Sequence, residues 1–422
     1  MQLRRGFYQK FKLRKKSSAS RRKGAFRSII CIFALLMLAG IGIAAFSHHS
    51  QPAQKIALSN VGMWTNRTID FNGGIYTSIA VDSRGHLHVS YQCNNHLMYA
   101  TNETGLWIWS TIDNNASTGA YSSLAIDSND KIHVSYYGQP DLWYATNRDG
   151  GWKKYKIDHS PGAIVGGYTS LAIDSRERLH ISYYDFTNGH LKYATNSTGS
   201  WTNTTLFPAS TFGSHSSIAI DSQDSIHISC WVTNGGLAYV TNRSGIWTGY
   251  FVDMAINSGL YTSIGIDSHD RVHISYYDAA NGNLKYASNS SGSSSNWGLY
   301  VLDSAGVTGQ YTSLAIDRHD CVHISYYSSA GENNLKYCTN ESGSWANYTV
   351  DGIGTDVGLY SSIAVGQDDK VHIAYLDNTN TDLKYATAQT YPIPEFNDAL
   401  VALIPIILIA EFLVISRRKR AL

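Results

Sequence analysis

Cysteine is scarce in this sequence, five among 422 residues, and the five build no framework. Cys31 lies in an apolar run, and Cys93, Cys230, Cys321 and Cys338 fall at non-equivalent points of a repeat, so structural disulfides are not expected. Only Cys321 and Cys338 share one repeat. Charge is thin as well, at 15% of residues. The near-zero net value hides a polarity: the first 27 residues carry eleven Lys or Arg and no acid, and Arg417, Arg418, Lys419 and Arg420 add four bases. Residues 28–394 hold 18 basic residues against 29 acidic ones, an excess of 11 negative charges. Phosphate binding needs clustered Lys and Arg, so a nucleic-acid partner is excluded for that region.

What is present is repetition. Tyr168 to Asp185, YTSLAIDSRERLHISYYD, has relatives beginning at Tyr76, Tyr121, His215, Tyr261, Tyr311 and Tyr360. Successive starts are 45, 47, 47, 46, 50 and 49 residues apart, the mark of an array of like units. In each unit Ser170 and Ala172, or their equivalents, alternate with Thr169, Leu171 and Ile173, which is the period of a strand. A short polar turn, SRER here and SRGH or SNDK elsewhere, leads to a second strand. A third run, HLKYATN, and a fourth opening with Trp201 complete four short strands with no helix.

Four strands in tandem repeats predict an all-β fold, a seven-bladed β-propeller. The last copy, Tyr360 to Thr387, lacks its Trp-led fourth strand, whereas a spare one, Trp64 to Asp70, precedes the first copy. The N-terminal strand is therefore expected to close the last blade and hide two sheet edges. The Trp-led runs at Trp64, Trp107, Trp152, Trp201, Trp247, Trp297 and Trp345 again count seven. The expected organisation is a basic cytoplasmic segment 1–27, a signal peptide or transmembrane anchor 28–46, a linker 47–59, the propeller 60–388, a linker 389–398, a C-terminal transmembrane helix 399–416 and a basic cytoplasmic tail 417–422.

Both apolar runs approach the roughly 17 to 20 residues that span a bilayer, and their flanking bases point inward, so the propeller is expected outside the cell membrane. Pro394, Glu395 and Phe396, followed by the apolar run and the basic cluster, resemble the PEF-type C-terminal sorting signal of archaeal surface proteins. That resemblance implies recognition and removal of the tail by a membrane transpeptidase of the archaeosortase type; a plain tail anchor is the alternative. Nine Asn-x-Ser/Thr sequons agree with an extracellular address. Five, at Asn102, Asn196, Asn242, Asn289 and Asn340, occupy the same turn between strands three and four and are the candidate glycosylation sites. The competing explanation is that the turn itself needs Asn and Gly.

The most regular polar pair is an Asp closing strand one and a His six residues later, from Asp82/His88 to Asp317/His323; in the last copy Gly366 replaces the Asp while His372 stays. A pair repeated in nearly every blade is structural rather than catalytic, an imidazole held between blades like the His/Asp networks of WD-repeat propellers. The turn acids Asp130, Asp224, Asp270 and Asp320 lack EF-hand spacing, and no metal or cofactor is expected. The residues opening strand one, Tyr76, Tyr121, Tyr168, His215, Tyr261, Tyr311 and Tyr360, should circle the channel mouth. With Trp231 they form the candidate ligand site, since aromatic rings suit stacking on sugars.

The repeat region resembles the bacterial and archaeal propeller repeat proteins grouped with sialidase-like and lectin propellers. Its arginines are scattered and no SxDxGxTW-type box is present, so the resemblance does not carry sialidase activity with it. No catalytic residue is assigned. The expectation is a non-catalytic surface scaffold for adhesion or recognition, with the membrane and glycans or envelope components as partners; a structural envelope protein and a glycoside hydrolase are the alternatives. Blade four, with His215, Cys230, Trp231 and Val240, breaks the symmetry most.

Overall fold

In a computed structural model the described residues are 64–389, apart from 209–211, 290–294, 330, 332 and 353. Every regular element among them is a strand, and none is a helix. The apolar runs 28–46 and 399–416 and the Pro394, Glu395, Phe396 motif lie outside the described residues.

The strands group in fours. Repeat three is representative: Val165–Ile173, Leu179–Asp185, His190–Thr195 and Thr202–Leu206 pair antiparallel in chain order. Its first strand buries Thr169 and Leu171 and leaves Tyr168 and Ser170 half-buried, as the alternation requires. The second strand is buried almost throughout, because it lies mid-sheet with neighbouring sheets on both faces. In the seventh repeat the fourth position is filled from the other end of the chain: Thr65–Asp70 pairs antiparallel with Asp382–Gln389, Thr65 facing Thr387. A single parallel bridge, His190 to Phe212, links the third and fourth sheets.

Seven apolar clusters make up the core, and each spans the face between one sheet and the next. One joins the seventh sheet to the first, through Ala374, Leu383 and Tyr385 against Ile79, Val89 and Tyr91. The Trp that precedes each fourth strand stands just outside it rather than opening it, and sets its ring 4.8–5.5 Å from a Tyr of the preceding repeat, from Trp107 on Tyr385 to Trp345 on Tyr286. No disulfide joins the four described cysteines.

Polar groups stitch the same faces. Ser78 Oγ accepts the amide of Leu124 at 2.9 Å, and the equivalent serines repeat the bond around the molecule to Ser362, which accepts from Ile79 at 3.1 Å. The small polar residues of the alternating pattern are thus the joints between sheets.

Candidate functional site

The inner strands bring Tyr76, Tyr121, Tyr168, His215, Tyr261, Tyr311 and Tyr360 into one ring. Neighbouring centroids lie 4.2–4.7 Å apart, and the sequence of contacts returns from Tyr360 to Tyr76. The sequence pattern has the ring residues opening their strands; instead, six of the seven sit inside, after three residues of extended chain. Each has a φ of 50–55°, the left-handed region that costs an L-residue about 1–2 kcal/mol. Each stands at a break in register with the second strand, such as the shift between Gly167 and Ser170, so the bulge turns the side chain toward the axis.

The sequence carries a sign of this geometry in a Gly two residues ahead of every ring residue, Gly74, Gly119, Gly166, Gly213, Gly259, Gly309 and Gly358. Gly309, with φ +105°, shows the need: a Cβ there would stand 2.6 Å from Leu284 Cα of the preceding repeat.

Beneath the ring lie Thr77, Ser122, Thr169, Ser216, Thr262, Thr312 and Ser361, and the two sets enclose a cavity of about 180 Å³. All fourteen lining residues are Tyr, His, Ser or Thr. The hydroxyls are engaged: Ser122 donates to the carbonyl of Tyr76 at 2.9 Å and Thr169 to that of Tyr121 at 3.0 Å, clamping the strained residue of the repeat before. Burial pushes the Tyr121 phenol up to about 12 and the His215 imidazole down to about 4. The collar is therefore uncharged near neutral pH, a belt of phenols and one imidazole.

Trp231 does not line this cavity. It lies on the second strand of repeat four, half-buried opposite Ser214, with its indole nitrogen buried and unpaired. Sequence reasoning missed Phe186, 38% exposed, whose ring lies 5.4–6.2 Å from Tyr121, Tyr137, Tyr168 and Tyr184. It extends the collar outward over repeats two and three.

The His/Asp pairs form within a repeat, not between blades as expected. Each imidazole Nδ1 lies 2.5–2.6 Å from a Tyr hydroxyl of strand three, from His88 with Tyr99 to His372 with Tyr385. In repeats two to six Nε2 stands 3.0–3.2 Å from the turn Asp. Burial holds His133, His180, His227 and His273 below the ordinary imidazole value. His372, with Gly366 in place of its Asp, falls furthest, to about 4.

A second buried network had no counterpart in the sequence reading. The Asp ending a fourth strand accepts a hydrogen bond from a Tyr of the next repeat, as Asp158 does from Tyr183 at 2.8 Å, and Lys192 donates to the same carboxylate. Asp253, Asp303 and Asp351 repeat the triad with Tyr276, Tyr326 and Tyr375 and with Lys285, Lys336 and Lys384. Between repeats three and four all three members change together, to Phe207, Cys230 and Ala238, and an apolar cluster fills the gap.

The five shared-turn asparagines hold backbone: Asn102 Oδ1 accepts the amide of Leu87 at 2.7 Å, and Asn196, Asn242, Asn289 and Asn340 do the same at 2.6–2.8 Å. Asn147, outside any sequon, makes the identical bond to Ile132.

No family model matches the chain, and no curated protein matches it either. Among solved structures, a catalytically inactive virginiamycin B lyase from Staphylococcus aureus with quinupristin aligns at TM-score 0.52 and 12% identity, over 77% of this chain and 99% of that one. The chain has a propeller-type all-β fold. AofleA from Arthrobotrys oligospora (TM-score 0.47, 16% identity, 71% of this chain and 96% of that one) and a leech intramolecular trans-sialidase (0.47, 10%, 82% and 71%) also match. At such identities the likeness concerns fold alone.

Proposed function

We propose that the chain is a closed seven-bladed propeller, displayed outside the cell membrane, that serves as a non-catalytic scaffold for adhesion or recognition of glycans or other envelope components. The observation that carries this reading is the collar: seven equivalent aromatic positions converge on one mouth, and Phe186 adds an exposed ring beside them. The cavity below is lined only by hydroxyl and imidazole side chains, whereas glycoside hydrolysis uses a pair of carboxylates. Collar faces are taken up by neighbouring rings, so a sugar would stack at the outer edge, on Phe186, Tyr137 and Tyr184. Segments 28–46 and 399–416 would attach the propeller to the membrane, with Pro394, Glu395 and Phe396 offered to an archaeosortase-type transpeptidase. Glycans on the shared-turn sequons would lie away from the collar.

A glycan array probed with the protein and with Phe186→Ala tests the reading: binding to a defined class of polysaccharide, lost in the variant, supports it. Absence of any ligand for the folded protein defeats it. A second reading, lateral assembly as a structural envelope component, is favoured by apolar outer strands, where Ile108, Trp109, Leu299, Tyr300 and Val301 are exposed. Concentration-dependent oligomers without ligand, abolished by Trp109→Glu or Tyr300→Glu, would mark that outcome.

A further inference from the structure

We propose that the first repeat carries a site for one divalent transition-metal ion of the zinc class, with Asp82 Oδ2, His88 Nε2 and Glu103 Oε1 as ligands and His86 as a fourth. The three ligand atoms lie within 4.8 Å of one another, His88 Nε2 standing 3.6 Å from Asp82 and 3.9 Å from Glu103. A tetrahedral ion with bonds of about 2.0–2.2 Å sets its ligands about 3.3–3.6 Å apart, so binding draws the part-exposed Glu103 carboxylate inward by up to about an ångström. His86 Nδ1 is already 3.0 Å from the same Asp82 oxygen.

The independent observation is an orphaned nitrogen. His88 is 0% exposed, and its Nε2 has no hydrogen-bond partner. In repeats two to six the equivalent nitrogen rests 3.0–3.2 Å from its Asp; His227 Nε2 also lacks a well-aligned hydrogen bond, but it lies against Asp221 alone, whereas His88 Nε2 stands off from two carboxylates. The amide bonds to Asp82 Oδ1, from Arg84 and His86 at 2.9 and 2.7 Å, recur in repeats two to six; what sets the first repeat apart is that Oδ2 is engaged by the His86 ring at 3.0 Å and by Arg84 at 3.2 Å, and stands 3.6 Å from His88 Nε2. A buried nitrogen aimed at two carboxylates without reaching either is costly unless something bridges them.

Sequence differences point the same way. Lys131, Arg178 and Arg271 occupy the position of His86 in other repeats, and Arg148 and Arg243 that of Glu103, so those turns carry their own fixed cation. Here one face of the pocket offers imidazole and carboxylate instead, the donor set that zinc accepts. Arg84 covers the pocket now, but its side chain is 57% exposed and its Nε already lies 3.6 Å from Asp130 of the next repeat, a ready alternative partner. The Tyr99 hydroxyl, 2.6 Å from His88 Nδ1, fixes the ring with Nε2 toward the ion. A second cluster, Asp267, His269 and Asp320, carries no such claim, because Ser268 and His269 already satisfy Asp320.

The test is zinc and cobalt titration of the full chain after chelator treatment, by calorimetry and by the visible bands of tetrahedral cobalt. The protein is compared with a His86→Gln/Glu103→Gln double variant and with Glu341→Gln, which changes the matching turn of repeat six. One saturable equivalent is expected, lost or weakened at least ~tenfold in the double variant and kept in Glu341→Gln. Because the two side chains lie on separate turns and His86 is part-buried, folding is checked independently by circular dichroism. Equal metal uptake by the parent and the folded double variant, or no tetrahedral cobalt spectrum in the parent, overturns the assignment.

Discussion

A large aromatic side chain rarely tolerates a positive φ, yet seven ring residues hold one. The strain is local, and the clamp that retains it comes from the neighbouring repeat's hydroxyl, as Ser361 donates to the Tyr311 carbonyl at 2.9 Å. Tyr261, at φ 52°, allows a direct check. Both Tyr261→Ala and Tyr261→Gly lose the ring, but only glycine loses the strain, so the glycine variant should unfold at higher urea, by roughly 1 kcal/mol. At Ser263, in regular strand, alanine should be the better of the two; if alanine also wins at 261, the strain is not real. The buried triad invites a second experiment. Lys192→Met leaves the Asp158 carboxylate buried with only the hydroxyls of Tyr183 and Ser160, no cation among them, and should cost about 3 kcal/mol by denaturant titration. Adding Asp158→Leu and Tyr183→Phe should restore at least half of that, since the seam between repeats three and four is already built apolar from Phe207, Cys230 and Ala238. No recovery would mean that the triad stabilises beyond avoiding an unpaired charge.

Each sheet finds part of its core on the next, so no four-stranded element here is complete by itself. The most exposed to failure is the seventh, whose outer strand is Thr65–Asp70. A chain beginning at residue 71 loses the Trp64 ring from Tyr337, the Tyr91 hydrogen bond to Asp70 and the ladder between Thr65–Asp70 and Asp382–Gln389. Such a truncation should lower the melting temperature by several degrees, on the order of 3 kcal/mol or more, and aggregate on size exclusion through its open edge. A synthetic peptide spanning 60–72 should partly reverse both effects. A truncated protein that stays monomeric with an unchanged melting temperature would remove the closing role of that strand. The repeat period, the four-strand unit and this pairing were legible in the sequence, because they depend on backbone pattern and spacing. The bulge was not, since alternation looks the same whether or not one residue turns left-handed; the Gly two positions upstream was the available clue. The Asp–Tyr–Lys triad escaped because its members sit on two repeats and three strands, and only the docked faces join them.

Across the whole molecule, buried imidazoles tie stability to pH. His372 is held at about 4 against an ordinary 6.5, so it is neutral when folded and must gain a proton on unfolding in acid. The unfolded chain binds more protons below pH 6.5, and stability therefore falls as pH drops from 6.5 toward 4. For His372 alone the loss approaches about 3 kcal/mol, and the other depressed histidines act in the same direction. Urea midpoints at pH 7.5, 5.5 and 4.5 should decline steadily, and the decline should be shallower in His372→Gln. A parallel decline in that variant would assign the acid sensitivity elsewhere.

Thr65 and Thr387 pair across 322 positions of chain. During synthesis Thr65–Asp70 must wait, unmatched, until Asp382–Gln389 has been made, and only then can this seam form. Loop-closure entropy grows slowly with length, so the wait costs time more than free energy. Nascent polypeptide released before about residue 389 would expose two orphan borders at once, one on Thr65–Asp70 and one on the seventh sheet, and chaperones that hold unpaired strands would find their substrate there.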